Sequence, residues 1–118
     1  MRFDLTTPCK DCPFRADITF YLGPNRVRSI LHSLFAEDAT FACHKTVLHD
    51  DDGNHLRGNP LEQHCAGALL LVERAGIANQ MIQIAERFDL YDPTRLNRDA
   101  PVFATPEAMV AHYEELEG

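Results

Sequence analysis

The chain has 118 residues, 45% of them apolar, and a formal net charge of −7 at neutral pH. A chain of this length fits one domain with a modest core, so we expect residues 1–118 to form a single domain. The negative charge argues against a basic face for nucleic-acid phosphate, and no apolar stretch reaches the length of about 18 residues that spans a bilayer. The first residues also lack a signal-peptide pattern. We therefore expect a cytoplasmic protein that binds neither nucleic acid nor membrane, which leaves another protein as the candidate partner.

Four segments show apolar residues at three- and four-residue spacing, the pattern of amphipathic helices. Helices are predicted near Asn25–Phe35, Pro60–Ala75, Ala78–Phe88 and Pro106–Leu116. Thr40–Cys43 could form a strand or the start of a helix, and Pro101–Ala104 could form one short strand. The predicted fold class is therefore mainly α, or α+β with at most a minor β element.

The same spacing predicts which side of a helix faces the core. For the first helix the buried stripe is Val27, Ile30, Leu31, Leu34 and Phe35. For the third helix it is Ile77, Met81, Ile84, Ala85 and Phe88. For the last helix it is Met109, Val110, Tyr113 and Leu116.

The second helix has a clear start signal in the sequence. Asn59 can serve as the N-cap, Pro60 suits the first helical position, and Glu62 can complete a capping box. This start places Cys65 in the second turn, on the same face as Leu69. We therefore expect the Cys65 thiol to point along the apolar face of a helix.

Four cysteines form the most informative pattern in the chain. Cys9 and Cys12 are separated by two residues, a spacing used by thiolate zinc sites and by iron–sulfur clusters, and Cys43 and Cys65 complete a set of four. In a reducing cytosol four cysteines are more often metal ligands than disulfides, whereas in a secreted chain disulfides would be favoured. We therefore predict one metal centre, ligated by all four cysteines, with the small domain folded around it.

Basic side chains lie close to these cysteines in the sequence. The chain has only two lysines: Lys10 lies inside the CxxC motif, and Lys45 follows Cys43 by two residues. Arg15 and His44 are close by as well. Four thiolates on Zn²⁺ or on an oxidised cubane cluster leave a net charge of about −2, which adjacent cations would offset. We therefore assign Lys10, Arg15, His44 and Lys45 to the surroundings of the metal, although lysines on most protein surfaces have no such role.

The flanks of the cysteines favour one kind of metal over another. One CxxC motif joins two solitary cysteines in apolar surroundings, which suits a [4Fe–4S] cluster with one ligand from each separate element. Structural Zn²⁺ bound by four cysteines is the alternative, but zinc knuckles usually carry two CxxC-type turns. His44 and His64, each next to a cysteine, could replace a thiolate, but neighbouring residues face different directions and we expect both to point away.

The number of bound cysteines decides what the centre can do. With four ligands the metal has no open position, so we expect a redox-sensing, regulatory or structural role, or a zinc-dependent protein–protein interaction module. With three, a substrate sulfur or an anion could bind beside Arg15, His44 and Lys45, as in a sulfur-transfer or desulfuration enzyme. An enzyme is the less favoured of these interpretations.

Three cysteine-containing blocks carry a resemblance to a known family. They are Cys9-x-x-Cys12-Pro13-Phe14-Arg15, Phe41-Ala42-Cys43-His44-Lys45-Thr46 and Cys65-Ala66-Gly67. With these blocks the chain resembles a family of small, functionally uncharacterised bacterial and phage proteins known as a domain of unknown function. The resemblance implies a four-cysteine centre in an intracellular bacterial or phage-encoded protein, with no reaction attached. The chain is more loosely similar to cluster-binding regulators of actinobacteria, but it lacks their second CxxC motif and their basic tail.

Overall fold

Four α-helices form the frame of the protein. The structure, a computed structural model, describes residues 2–17, 22–54 and 62–117. Its helices are α1 (Pro24–Phe35), α2 (Ala66–Ala75), α3 (Gln80–Arg87) and α4 (Pro106–Glu117), with a short 3-10 turn at Pro93–Arg95 between the last two. Strand pairing in the described residues is limited to three isolated bridges, so the prediction of a mainly α fold with minor β-structure is confirmed. None of the helices in these residues is long and apolar enough to cross a membrane.

Helices α1 and α4 pack against each other on one side of the core. The predicted stripe of α1 is confirmed, since Val27, Ile30, Leu31 and Leu34 are buried and Phe35 packs partly buried against the core. In α4 the prediction is confirmed for Met109 and Tyr113, which are fully buried. It is wrong for Leu116, which is 42% exposed near the end of the helix, beyond the part of α4 that the core covers.

Helix α2 runs through the centre of the domain. Every residue from Ala66 to Val72 is buried, so this helix has no wet side over its first two turns. A helix that is apolar all round is stable only when neighbours cover every face. It ends at Gly76, whose left-handed backbone (φ 69°) suits glycine and terminates the helix as the sequence predicts.

The predicted start of this helix is wrong. Asn59 and Pro60 lie outside the described residues, but Glu62 to Cys65 are extended, and the helix starts only at Ala66. Two backbone hydrogen bonds pair this stretch with Arg2: Arg2 N–H donates to the Glu62 carbonyl at 2.8 Å, and His64 N–H donates to the Arg2 carbonyl at 2.7 Å. A capping signal is local, and here backbone pairing with a distant segment overrides it.

The predicted stripe of α3 is also largely wrong. Its core-facing residues are Ile82 and Ala85, while Ile77, Met81, Ile84 and Phe88 are exposed by 48%, 47%, 43% and 70%. The buried side chain of Asn79 orients the start of this helix: its Nδ2 donates to the carbonyls of Leu34 and Ala39, and its Oδ1 accepts from Ile82 N–H. Both sets of apolar residues have helical spacing, so periodicity alone could not choose between them.

Candidate metal centre

The CxxC motif lies on a tightly turned loop. Cys12 N–H donates to the Cys9 carbonyl and Arg15 N–H donates to the Cys12 carbonyl, both at 3.1 Å, so the loop makes two successive turns. The Tyr113 hydroxyl, from α4, donates to the Pro13 carbonyl at 2.7 Å. Because this bond is buried, the loop is held against the core directly behind Cys12.

Cys43 and Cys65 lie on two extended segments that pair with each other. Cys43 N–H donates to the Gln63 carbonyl at 2.8 Å, and Cys65 N–H donates to the Phe41 carbonyl at 2.7 Å. These bonds flank an antiparallel bridge between Ala42 and His64. Cys65 is the N-cap residue of α2, so the expectation that it lies in the second turn of that helix is wrong.

These elements bring the four thiols together as two close pairs. The Sγ atoms of Cys12 and Cys65 are 3.4 Å apart, and Cys43 lies close enough to Cys9 to contribute to the raised pKa of the Cys9 thiol, whose main cause is burial. Electrostatic interaction between Cys9 and Cys12 links the two pairs. Cys12, Cys43 and Cys65 are buried, whereas Cys9 is half-buried, and all four are free cysteines.

Backbone N–H groups point at the sulfur atoms. Cys12 accepts from Phe14 and Gly67, Cys65 accepts from Ala68 and Gly67, and Cys9 accepts from Asp11. N–H donors of this kind stabilise the negatively charged form of a thiol. The pocket is therefore built to hold at least one thiolate.

The Cys12–Cys65 pair divides its charge unequally. The hydrogen bond from the Cys65 thiol lowers the pKa of Cys12, helped by backbone N–H groups and by the charge of Arg15. The same bond, together with burial, raises the pKa of Cys65 well above its usual range. Burial raises the pKa of Cys9. Cys12 is thus the sulfur of its pair that loses its proton first.

Gly67 is the point of closest approach to this pair. A Cβ atom at this position would lie 2.5 Å from Cys12 Sγ and 2.9 Å from the Cβ of Phe14. Only glycine leaves room for the sulfur while its own N–H reaches both thiols. The small residues that follow Cys65 in the sequence thus make room for Cys12.

His64 holds the two extended segments in register. Its ring is fully buried and stacks on Phe3 at 5.3 Å between centroids. Its Nε2 accepts from Phe41 N–H at 3.2 Å, and its Nδ1 lies 3.1 Å from the Cys65 carbonyl, to which it donates as the Nδ1–H tautomer. Burial lowers the pKa of His64 to about 4, so the ring is neutral. Both nitrogens are engaged by backbone, and sequence reasoning missed this structural role because it depends on which segments meet.

The four predicted basic neighbours lie in different surroundings. Arg15 is close to the thiols: its pKa is raised chiefly by the ion pair with Asp17, at 2.7 Å, and also by the charges of Cys12 and Cys9. Lys45 Nζ lies 3.3 Å from Asp11 Oδ2, an ion pair that joins the CxxC loop to the segment after Cys43.

Lys10 and His44 are exposed, and among the described residues no contact brings either of them to the thiols. The acidic partners Asp11 and Asp17 were not singled out from the sequence. Their alternation with the cysteines and cations in residues 9–17 was the signal that could have found them.

The thiols are not yet arranged around one point. Within the part of the chain that the structure describes, no three His, Cys, Asp or Glu side chains stand in the positions that hold a metal ion. The four cysteines are nevertheless neighbours, since Cys12 lies beside Cys65 and Cys9 interacts with both Cys12 and Cys43. The donor set fits a metal that prefers thiolates.

Fold and site together define a small, mainly α-helical protein with four free cysteines near one another, three of them buried. A family model described as a family of unknown function (DUF6283) matches residues 4–117, and the chain belongs to this family. No curated protein and no solved structure matches the chain. The predicted membership in an uncharacterised family is confirmed.

Proposed function

We propose that Cys9, Cys12, Cys43 and Cys65 bind a [4Fe–4S] cluster and that the protein is a cytoplasmic redox sensor, regulator or cluster-stabilised module. The observation that carries the proposal is the gathering of four free thiols in one pocket with backbone N–H groups directed at three of them. When bound, a cluster of this kind supplies one-electron redox chemistry.

The cost of burying thiolate charge supports the proposal of a bound metal. Thiols that stay protonated leave the N–H donors to their sulfur atoms underused, and four thiolates without a cation, three of them buried, would be costly in free energy. A metal centre resolves both problems, because it binds thiolates and neutralises most of their charge. Arg15 lies near the thiols and can offset part of the negative charge that remains.

Two features favour an iron–sulfur cluster among the possible centres. The ligands come from three separate elements, namely the CxxC loop, the segment that ends at Cys43, and the start of α2. Two aromatic residues that follow or precede a cysteine by two positions, Phe14 and Phe41, pack edge to face at 5.2 Å between centroids. Proteins tune the reduction potential of a cluster through low solvent access and through N–H bonds to sulfur.

Zinc is the second candidate, and one distance favours it. With Zn–S bonds of about 2.3 Å, the thiolates of a tetrahedral site lie about 3.8 Å apart. Cys12 and Cys65 are 3.4 Å apart, so a single zinc ion needs less movement of this pair than a larger cluster does. A four-thiolate zinc site has no open position, so the protein would then be a structural or interaction module.

Anaerobic purification with metal, sulfide and absorption analysis tests the proposal. About four irons and four sulfides per chain, with a visible band that dithionite bleaches, support the cluster. About one zinc in a colourless protein supports the second candidate instead. A protein without metal that also takes up neither zinc nor a reconstituted cluster contradicts both.

Single substitutions test the ligand set. Cys65→Ala is expected to remove the metal and much of the stability, because binding energy at such a site is folding energy. Val27→Ala is the matched control, since it truncates a fully buried side chain of α1 and leaves the four thiols in place. Full metal content in Cys65→Ala, measured by mass spectrometry of the native protein, would rule out a four-cysteine centre.

A further inference from the structure

Two buried cysteines from distant parts of the chain are in direct contact. The Sγ atoms of Cys12 and Cys65 lie 3.4 Å apart, although the two residues are separated by 53 positions in the sequence. Both are free thiols in this structure. A disulfide bond is about 2.05 Å long, so the two sulfur atoms need to approach each other by about 1.4 Å to form one. This distance makes the pair a candidate for oxidation.

The backbone holds the two members of the pair on separate, hydrogen-bonded elements. Cys12 lies in the turned CxxC loop, where its N–H donates to the Cys9 carbonyl at 3.1 Å. Cys65 is the N-cap residue of α2, and its N–H donates to the Phe41 carbonyl at 2.7 Å. The sulfur of Cys12 also packs against Gly67, where an added Cβ would lie 2.5 Å from it. The fold itself therefore keeps the two thiols together, which gives each a high effective concentration at the other.

We propose that Cys12 and Cys65 are a redox-modification site, at which hydrogen peroxide converts the two thiols of the metal-free protein into a disulfide. One sulfur attacks a peroxide oxygen, the O–O bond breaks, and the products are a sulfenic acid and one water molecule. The second sulfur then attacks the sulfenic sulfur, the S–O bond breaks, and the oxygen leaves as a second water that carries the proton of the second thiol. The pair loses two electrons and two protons in total, and the peroxide takes up both.

Burial decides how this oxidation ends. Cys12 is fully buried and Cys65 is 4% exposed, so hydrogen peroxide, which is little larger than water, enters only through brief local openings. A sulfenic acid formed on one sulfur then meets the other thiol before a second peroxide molecule arrives. A sulfenic acid beside a thiol condenses to a disulfide, whereas an isolated one is oxidised further to the irreversible sulfinic acid. The buried pair is therefore expected to give a reversible product.

The disulfide has a consequence for metal binding, which rests on the proposed function. If Cys9, Cys12, Cys43 and Cys65 bind a metal, the disulfide withdraws two of the four ligands, because a ligand has to be a thiolate. The two thiols that remain cannot complete a four-thiolate site. Oxidation then blocks metal loading until a reductant restores the thiols. Metal binding and disulfide formation thus exclude each other, which couples the metal content of the protein to peroxide.

Disulfide mapping of the full-length, metal-free protein tests the proposal. The reduced protein is treated with a small excess of hydrogen peroxide, free thiols are blocked in denaturant, and unreduced tryptic peptides are analysed by mass spectrometry. Trypsin cleaves after Lys10, so Cys9 and Cys12 are released in different peptides. A link between Cys12 and Cys65 is expected as the main product, and dithiothreitol should reverse it. A main product that links Cys9 to Cys12 or to Cys43, a link between two chains, or the absence of any disulfide overturns the proposal.

Two serine variants are the controls for this pairing. Cys43→Ser removes a cysteine outside the pair and should leave the yield of the Cys12–Cys65 link within about twofold of the wild type. Cys65→Ser removes one partner, and Cys12 should then carry at least about tenfold more sulfinic acid after long exposure. Circular dichroism checks the fold of both, and the mapping of the wild type decides the proposal even where a variant does not fold. A Cys43→Ser protein that is folded but forms no Cys12–Cys65 link overturns the two-residue site.

Zinc uptake distinguishes failure of this proposal from failure of the proposed metal centre. The reduced metal-free protein should bind about one zinc ion, and the oxidised protein should bind it at least about 100-fold more weakly until it is reduced again. If the reduced protein takes up neither zinc nor a reconstituted cluster while the mapping shows the link, the metal centre is wrong and the disulfide site stands. If the linked protein binds zinc as tightly as the reduced protein, the coupling between oxidation and metal binding is wrong.

Discussion

The two pairs of thiols in the pocket differ in how firmly they are held. Cys12 and Cys65 are buried, receive N–H bonds from three residues and pack against Gly67. Cys9 is half-buried and receives an N–H bond from Asp11 alone. The Cys12–Cys65 pair is thus preorganised by backbone and packing, whereas Cys9 in the other pair is less enclosed. If the four cysteines bind the proposed metal, Cys12 and Cys65 are expected to set its geometry and Cys9 to be the ligand that exchanges most easily.

The largest expected effect comes from Gly67→Ala, which directly disturbs the packing of the Cys12–Cys65 pair. The new methyl group would meet Cys12 Sγ at 2.5 Å, so the pair has to separate or the helix has to shift. We expect a loss of about 3 kcal/mol of unfolding free energy and most of the bound metal, measured by denaturant unfolding and metal analysis.

Gly76→Ala is the control for this substitution. It has no atom within 4 Å of the added carbon, so only backbone strain at positive φ, about 1 kcal/mol, is expected, with full metal content. Equal metal loss in the two variants would mean that the close approach at Gly67 is unimportant for the centre.

The next largest effect is expected when the metal-free protein is alkylated, because the reaction rate distinguishes a thiol of one pair from a thiol of the other. Cys9 is expected to react with iodoacetamide at least about tenfold faster than Cys12, because the buried sulfur is reached only by local opening. Peptide mass spectrometry over time gives the order of labelling, and the same reaction in denaturant removes the difference. If Cys12 reacts first, thiolate character rather than burial controls access to the pocket.

Tyr113→Phe tests whether a hydrogen bond from α4 helps to hold the Cys12–Cys65 pair in place. It removes the buried hydrogen bond to the Pro13 carbonyl, directly behind Cys12, and should cost about 1 kcal/mol and weaken metal binding several-fold. Tyr91→Phe, at another buried tyrosine away from the thiols, should lower stability no more than this and leave the metal affinity unchanged. Competition with a chelator measures both affinities, and equal values in the two variants would remove Tyr113 from the site.

The smallest effect is expected from Lys45→Glu, which lies next to the Cys9–Cys43 pair. Lys45 is exposed and pairs with Asp11, so its loss should change stability by less than about 1 kcal/mol. If a cluster is bound, an added anion disfavours the added electron, and the reduction potential should fall with no loss of iron. Arg95→Glu makes the same charge change on an exposed residue away from the thiols and serves as the control. A potential that is unchanged or raised in Lys45→Glu means that Lys45 does not act on the centre.

Several features could be deduced from the sequence because they depend on local order. The buried stripe of α1 follows from three- and four-residue spacing, and the end of α2 follows from Gly76. The four cysteines are predicted to act as one set because two of them share a CxxC spacing and the chain has two more. For the two helix features the information lies within one or two helical turns of the residue concerned.

Other features were decided only by contacts between distant segments. The start of α2 moved to Ala66 because Glu62 to Cys65 pair with Arg2 and with residues 41–43, and hydrogen bonds across the chain outweigh a local capping signal. The orientation of α3 was set by Asn79, which bonds to carbonyls at Leu34 and Ala39. Which residues can be helical, and which side chains are candidate metal ligands, can be deduced from the amino-acid order alone. Tertiary structure decided where each helix begins, which side it buries and how the thiols pair, because those choices depend on backbone groups far away along the chain.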